Sequence, residues 1–215
     1  MRILALDIAP GSDLDEAALS KTYGISRTPL REVLQKLAGE GYVDQSPNRG
    51  AKVASMDFSV MRSFFQTAPM IYSSVARLAA QNRKRAQLSE LKEIQQAFAR
   101  AVSNSDASKA ALANHRFHAM IGDMAANPYL SPSLARMLID HTRLSQTFYR
   151  PATKTDAERV SQASQQHDAM IEAFENSDPE TAVELTLLHW DLSRDRMEEF
   201  VRPDPLPLME DAHAI

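Results

Sequence analysis

The chain of 215 residues contains no cysteine. Disulfide bonds and thiolate chemistry are therefore excluded, and the composition fits a cytoplasmic protein. No run of about 18 apolar residues occurs, so no membrane-spanning helix is expected. The opening "MRILALDIAPG" carries one basic residue and no long apolar core, and does not read as a signal peptide. Glycine is scarce, at six residues. There is no phosphate-binding glycine loop, no G-x-S-x-G and no H-E-x-x-H, the patterns of common nucleotide-binding and hydrolytic sites. Basic charge is also in short supply: the formal net charge is -4. Taken over the whole chain, that balance argues against nucleic acid. Its distribution argues otherwise. Residues 1–54 hold seven Lys/Arg and seven Asp/Glu, so the entire acidic excess lies beyond them. Within 26–38, Arg27, Arg31 and Lys36 face only Glu32, a local basic surface compatible with DNA.

What is present divides into two regions. Residues 1–55 hold most of the glycines and short elements. Residues 56–201 read as about six long helices without period-two alternation, separated at Asn82-Arg83-Lys84, Ser103-Asn104-Ser105, Asn127-Pro128, Arg150-Pro151 and Ser177-Asp178-Pro179. The tail 202–215, "RPDPLPLMEDAHAI", is proline-rich, then acidic, and is expected to be disordered. The fold class expected is mainly α: an N-terminal winged helix-turn-helix, then an all-α antiparallel bundle of about six helices.

The most informative stretch is "YGISRTPLREVLQKLAGEGYV", residues 23–43. The spacing predicts a helix over 14–24 that buries Leu14, Ala18 and Leu19 and breaks at Gly24, with Ile25 pointing into the core. Ser26 stands where an N-cap belongs, and Pro29 falls in the first turn, where its missing N–H costs little. A second helix then buries Leu30, Val33, Leu34, Leu37 and Ala38, and ends at Gly41. Its other face presents Thr28, Arg31, Glu32 and Gln35, with Arg27 at the corner. "YVDQS" and "AKVAS" flank "PNRG" as a hairpin turning at Pro47–Gly50. Helix, turn, helix and hairpin make a winged helix-turn-helix whose second helix enters the major groove. Arg27 and Arg31 suit guanine edges or phosphate, and Thr28 suits phosphate or a thymine methyl. Arg49 suits the minor groove or backbone, and Gly50 lets the wing turn. The plainer alternative is a helical hairpin with a solvated charged face.

The full string, followed by "NRGAKVA", resembles the DNA-binding module of the GntR family of bacterial transcription regulators over roughly residues 3–54. The resemblance implies that Arg27, Thr28, Arg31, Arg49 and Gly50 take DNA-contacting positions, that the operator is a palindromic duplex and that the protein is a homodimer. It also implies a complete first helix before "ALDIAPGSDLDE". Here only its end, "RILAL", is found, as a late start position or a trimmed chain would produce.

Histidines mark the second region. His167 and His189 lie equally far from residue 178, the centre of a predicted turn, so an antiparallel helix pair sets them at one height. Each falls on an apolar stripe: Val160, Ala163, His167, Met170, Phe174, and Ala182, Leu185, His189, Leu192. His118 follows Asn114 by four on the face that also carries Ala111 and Ile121. One histidine on an apolar stripe is more often a satisfied core residue than a ligand. Three directed into one bundle interior form a candidate metal site, with neutral imidazoles suited to zinc or nickel. His115 points about 60° away from His118 on the helix, and is not expected to be a ligand. Trp190 is expected to pack, and His213 carries no signal. Arg143, near His141, is a candidate clamp for a carboxylate. A surface role is the alternative for Arg143, and plain bundle packing for His141.

Residues 57–201 resemble the helical FCD effector domain of the FadR subfamily, through "NHRFHAMIGDMAANPYL" and "QQHDAMIEAFENSDPETAVELTLLHW". The resemblance implies a divalent metal held by an aspartate and three histidines, with a small carboxylate effector beside it. The histidines carry over to His118, His167 and His189. Asn114 stands where the aspartate is usual, and an amide is a weaker, neutral ligand. "FFQTAPMIYSS" lacks the arginine usual in the first long helix, and Pro69 is expected to kink that helix. A DNA-binding regulator that senses a small organic acid is the favoured reading, since both regions agree in order and length. The alternatives are a metal-dependent enzyme using the three-histidine cluster, for which no carboxylate base stands at a suitable spacing, and a dimerising adaptor with an idle cavity. The effector-contacting residues expected are Arg143 and His141.

Overall fold

The computed structural model describes residues 1–46 and 50–201. The elements are β1 (Asp13–Leu14), α1 (Glu16–Tyr23), α2 (Arg27–Glu40), β2 (Val43–Ser46), β3 (Gly50–Val53), α3 (Phe58–Asn82), α4 (Arg85–Ser103), α5 (Ala107–Ala125), α6 (Leu130–Phe148), α7 (Lys154–Glu175) and α8 (Pro179–Val201). The hairpin tip with Pro47 and Arg49, and the tail from residue 202, lie outside the described residues.

In the N-terminal domain, "RILAL" forms a turn, with the Ala5 and Asp7 amides donating to the Met1 and Arg2 carbonyls. Asp15 caps α1 by accepting from the Ala17 and Ala18 amides, and Gly24 ends it in the left-handed region. Ser26 opens α2 with an extended backbone but no side-chain capping bond. The hairpin forms as expected, Val43 opposite Val53 and Ser46 opposite Gly50. β3 is the middle strand of three, because Asp13 and Leu14 pair with Lys52 and Ala51 on its other edge. Leu14 therefore belongs to a strand, not to the first helix.

A small core joins Leu30, Leu34 and Ala51, with Leu14 and Leu19 against it. The expected apolar stripe is thus only partly buried. Ala18 is exposed, Leu37 and Ala38 are half-buried, and Val33 and Ile25 are 49% and 37% exposed. No described element covers the side of α2 that carries Val33, and α1 is too short to reach it.

The six helices of the second domain begin and end at the expected breaks. Their N-termini are held by Asp57 on α3, Asp106 on α5 and a reciprocal Thr153–Asp156 capping box on α7. Helix α5 is central, packing on α3, α4 and α6, while α8 packs on α3, α6 and α7. Small buried residues, Ala110, Ala111, Gly122 and Ala125, line α5 and let its neighbours approach closely. Helix α3 is continuous through Pro69. Among the described residues no helix is long and apolar enough to cross a membrane.

The domains meet along α6. Arg143 donates from Nη1 to the Ala54 carbonyl at 2.7 Å, and Gln146 from Nε2 to the Leu4 carbonyl at 3.2 Å. Arg136 lies over Gly41, the left-handed residue (φ 87°) that closes α2, where an added Cβ would come within 2.3 Å of its side chain. Gly41→Ala is expected to cost about 1 kcal/mol through the positive φ, with Arg136 displaced in addition. Thermal unfolding should show a melting temperature lower by about 2–4 °C.

Candidate functional site

The residues expected to contact DNA lie on α2 and at the start of β3. Arg27, Thr28 and Arg31 are exposed on the first turns of α2, which contain no acidic residue in the first turn. The positive end of the helix dipole therefore lies in the same turns as two guanidinium-bearing side chains. Arg31 Nε is bonded to Glu16 Oε2 at 2.9 Å, so α1 steadies it from across the turn. Gly50, with φ 72°, starts β3 at the described end of the wing, while Arg49 is outside the described residues.

The second site is a buried histidine cluster built by four helices. His118 comes from α5, His141 from α6, His167 from α7 and His189 from α8, and all are at most 5% exposed. The His167 and His189 rings face each other at 4.6 Å, as their positions about residue 178 require. His118 lies 5.6 Å from His167, 5.5 Å from His189 and 5.4 Å from His141. One ligand atom from each of His118, His167 and His189 falls within 4.8 Å of the others. Zinc–imidazole bonds of about 2.0–2.1 Å call for a somewhat tighter cluster, which small rotations of three rings supply.

Hydrogen bonds fix the tautomer of two of these rings. Gln95 donates from Nε2 to the Ser164 carbonyl, which turns its Oε1 toward His167 Nδ1 at 2.9 Å. An amide oxygen only accepts, so Nδ1 carries the proton and Nε2 keeps its lone pair. Gln166 Oε1 meets His189 Nδ1 at 3.1 Å in the same sense. Such outer partners orient ligating histidines in metal sites. His118 Nε2, His167 Nε2 and Asn114 Oδ1 are buried without a hydrogen-bond partner among the described residues. Unpaired buried acceptors cost about 1–3 kcal/mol each, and three associated with one cluster are a donor set suited to a metal. Asn114 is one turn before His118 on the same face of α5.

Burial explains the electrostatics. It holds His118 and His167 well below the usual imidazole range, with the other histidines adding repulsion. It lowers His189 to about 4, and burial with neighbouring histidines lowers His141 to about 3. All four are neutral near pH 7, the form that binds metal. His141 Nδ1 lies 2.6 Å from Tyr72 Oη. Burial and the Asp140 carboxylate raise the Tyr72 phenol, so Tyr72 keeps its proton. A neutral phenol can donate to Nδ1 or accept from it, and where it donates the His141 proton sits on Nε2.

Arg143 has different partners from those expected. It is fully buried, and its two terminal nitrogens serve Ala54 and Asp140 at the domain junction. Its side chain is a strut rather than a carboxylate clamp. Asp140 also accepts from Arg136 at 3.1 Å. Asp140 and His141 thus stand back to back on α6, one toward the winged domain and one in the histidine cluster. His115 bonds Thr142 at 2.8 Å, outside the ligand set as expected, and Trp190 packs with Phe64, Phe65 and Tyr72. Sequence reasoning missed Tyr72, Gln95, Gln166 and Asp140. Only Gln95 had a legible signal, a polar residue in the apolar series Leu91, Gln95, Phe98.

Family models agree with this architecture. The bacterial regulatory protein gntR family matches residues 1–53, and the FCD domain matches residues 65–192. The chain belongs to the GntR family of DNA-binding transcription regulators and carries an FCD domain. The uncharacterized HTH-type transcriptional regulator YdhC of Bacillus subtilis is 21% identical over 182 residues, 84% of this chain and 79% of that protein. The galactonate operon transcriptional repressor of Escherichia coli is 25% identical over 211 residues, 88% of this chain and 89% of that one. Among solved structures, E. coli McbR/YncC has the same fold, with a TM-score of 0.79 at 16% identity over 94% of this chain and 93% of that chain.

The depressed histidines make stability depend on pH. The unfolded chain takes up protons near pH 6.5 that the folded chain refuses until about pH 4 at His189. Stability is complete above pH 6.5 and declines as pH falls through this window. The melting temperature of chelator-treated protein should therefore be level above about pH 7 and drop steeply between about pH 6.5 and 4. His189→Gln should shorten that drop.

Proposed function

We propose that this regulator senses a small organic acid through a divalent metal, zinc or nickel, held by His118, His167, His189 and Asn114. The three unpartnered ligand atoms in the histidine cluster carry this reading, together with the amide groups that leave the His167 and His189 lone pairs free. His141, with its Nε2 proton beside the cluster, is the donor to the effector. The metal supplies an electrophilic anchor for an oxygen ligand. The chain acts in the cytoplasm as a homodimer of the FadR type on a palindromic operator. Arg27, Thr28, Arg31, Arg49 and Gly50 make the DNA contacts.

A displacement of His141 has a direct route to the DNA-binding domain. Its neighbour Asp140 holds Arg136, which lies on the end of the recognition helix α2, and Arg143, which holds the strand end at Ala54. Effector binding shifts the placement of the two winged helices, and so changes which half-site spacing they fit. Turnover by a metal-dependent enzyme has no support from the cluster: no carboxylate is among its members, and Asn114 is no base.

Mass spectrometry of the purified, untagged protein should find near-stoichiometric divalent metal without any added. A metal-free protein whose His118, His167 and His189 bind none on loading would overturn the metal reading. Duplexes selected from a random pool should carry two half-sites in inverted repeat, and Arg31→Ala should weaken binding to them by about 1–3 kcal/mol, roughly fivefold to 150-fold. Asp140→Asn removes the shared anchor of the junction, so it should retain metal but lower the melting temperature, and cut the change in operator affinity on adding metal with a small carboxylate to less than about half on a logarithmic scale.

A further inference from the structure

We propose that this site takes its metal and a small chelating dianion together, each weakly without the other, because the chain's own ligands leave the ion's charge uncompensated. The inference rests on the metal reading above and concerns what Asn114 does to it. His118, His167 and His189 are neutral imidazoles, and Asn114 is a neutral amide. The donor set therefore sums to zero charge, and a divalent ion held by it keeps its full +2. All four residues are at most 5% exposed, so little water reaches the ion to screen it. Burying an uncompensated charge is strongly unfavourable.

The surroundings offer no relief. Tyr72, Gln95, His141, Gln166 and Trp190 surround the cluster, and each is neutral. The nearby carboxylate of Asp140 is already neutralised by Arg143 and Arg136 at the domain junction. Among the residues named around the cluster, none offers an anion a cation. Both terminal nitrogens of Arg143 are engaged at the junction, and the buried residues of this stretch of α3, Ala68 and Tyr72, carry no charge. Either charge alone is isolated in an apolar bundle. Together they cancel, if the anion carries two negative charges on oxygens that reach the ion.

A small dicarboxylate meets these terms. Two carboxylate oxygens fill the positions that four protein donors leave open on a six-coordinate ion. His141 Nε2–H can donate to a remaining oxygen, steadied by Tyr72 at Nδ1. The effector class is then set by charge as much as by shape. Neutral or cationic metabolites leave the ion uncompensated, and monocarboxylates compensate half of it.

The test titrates zinc into metal-free protein at buffered free zinc, with and without oxalate or malonate. Tryptophan fluorescence serves as readout, since Trp190 lies 6.1 Å from His141. At least one dicarboxylate should tighten zinc binding by about tenfold or more, and zinc should tighten the dicarboxylate by the same factor. Acetate should do less. Asn114→Asp supplies one negative charge from the protein, so it should bind zinc more tightly without an anion and show a smaller coupling factor. Zinc affinity in the wild-type chain that is indifferent to both dicarboxylates would overturn the inference while leaving the metal site standing. An equal coupling factor in Asn114→Asp would overturn the charge argument. Absence of zinc binding in both proteins under all conditions would overturn the metal reading and this inference with it. If the variant does not fold, the paired wild-type titrations alone decide.

Discussion

The guanidinium of Arg143 is buried completely at the junction of two domains, and the arrangement around it follows from that cost. A cation removed from water must be paired and hydrogen-bonded, and breaking such a pair typically costs about 3–5 kcal/mol. Asp140 and the Ala54 carbonyl pair its two terminal nitrogens, while Nε has no hydrogen-bond partner among the described residues. Asp140 is thereby held in place and becomes the shared anchor for Arg136, which covers the end of the recognition helix. The strand end, the helix end and α6 are tied to one carboxylate. A regulator needs such a joint, because rigid connection turns a small motion in one domain into a change of geometry in the other.

The histidine cluster stores an opposite kind of cost. Polar rings occupy positions that aliphatic side chains would fill with better stability, and acceptors on His118, His167 and Asn114 remain unpaired. Glutamines on α4 and α7 hold two of these rings in the tautomer that presents a lone pair inward. Departures of this kind from an otherwise consistent core are where functional sites are expected. Helix α5 makes this affordable, since its alanines and Gly122 pack closely against neighbours on the remaining faces.

Legibility in the sequence tracked how local the cause was. Helix breaks, caps and the turn glycines depend on a few adjacent residues, so all six long helices and the hairpin were readable, as were the exposed Arg27, Thr28 and Arg31. His167 and His189 were readable too, because a short turn makes antiparallel helices nearly symmetric about it. Leu14 was misplaced, since a two-residue strand exists only through its pairing with β3. Val33 was expected to be buried because periodicity identifies an apolar face without saying whether anything covers it.

By itself the sequence determined the family, the order of two domains, the basic face of α2 and the neutral chemistry of the three histidines with Asn114. Tertiary structure decided the rest. It brought Gln95 and Gln166 to the histidines, set Tyr72 against His141, and took Arg143 out of the candidate pocket to the domain junction. A side chain's role there depends on which helices surround it, and a long arginine on α6 can reach either way. The choice was made by a buried carboxylate three residues earlier and a backbone carbonyl from a distant strand, and only packing brings those two together.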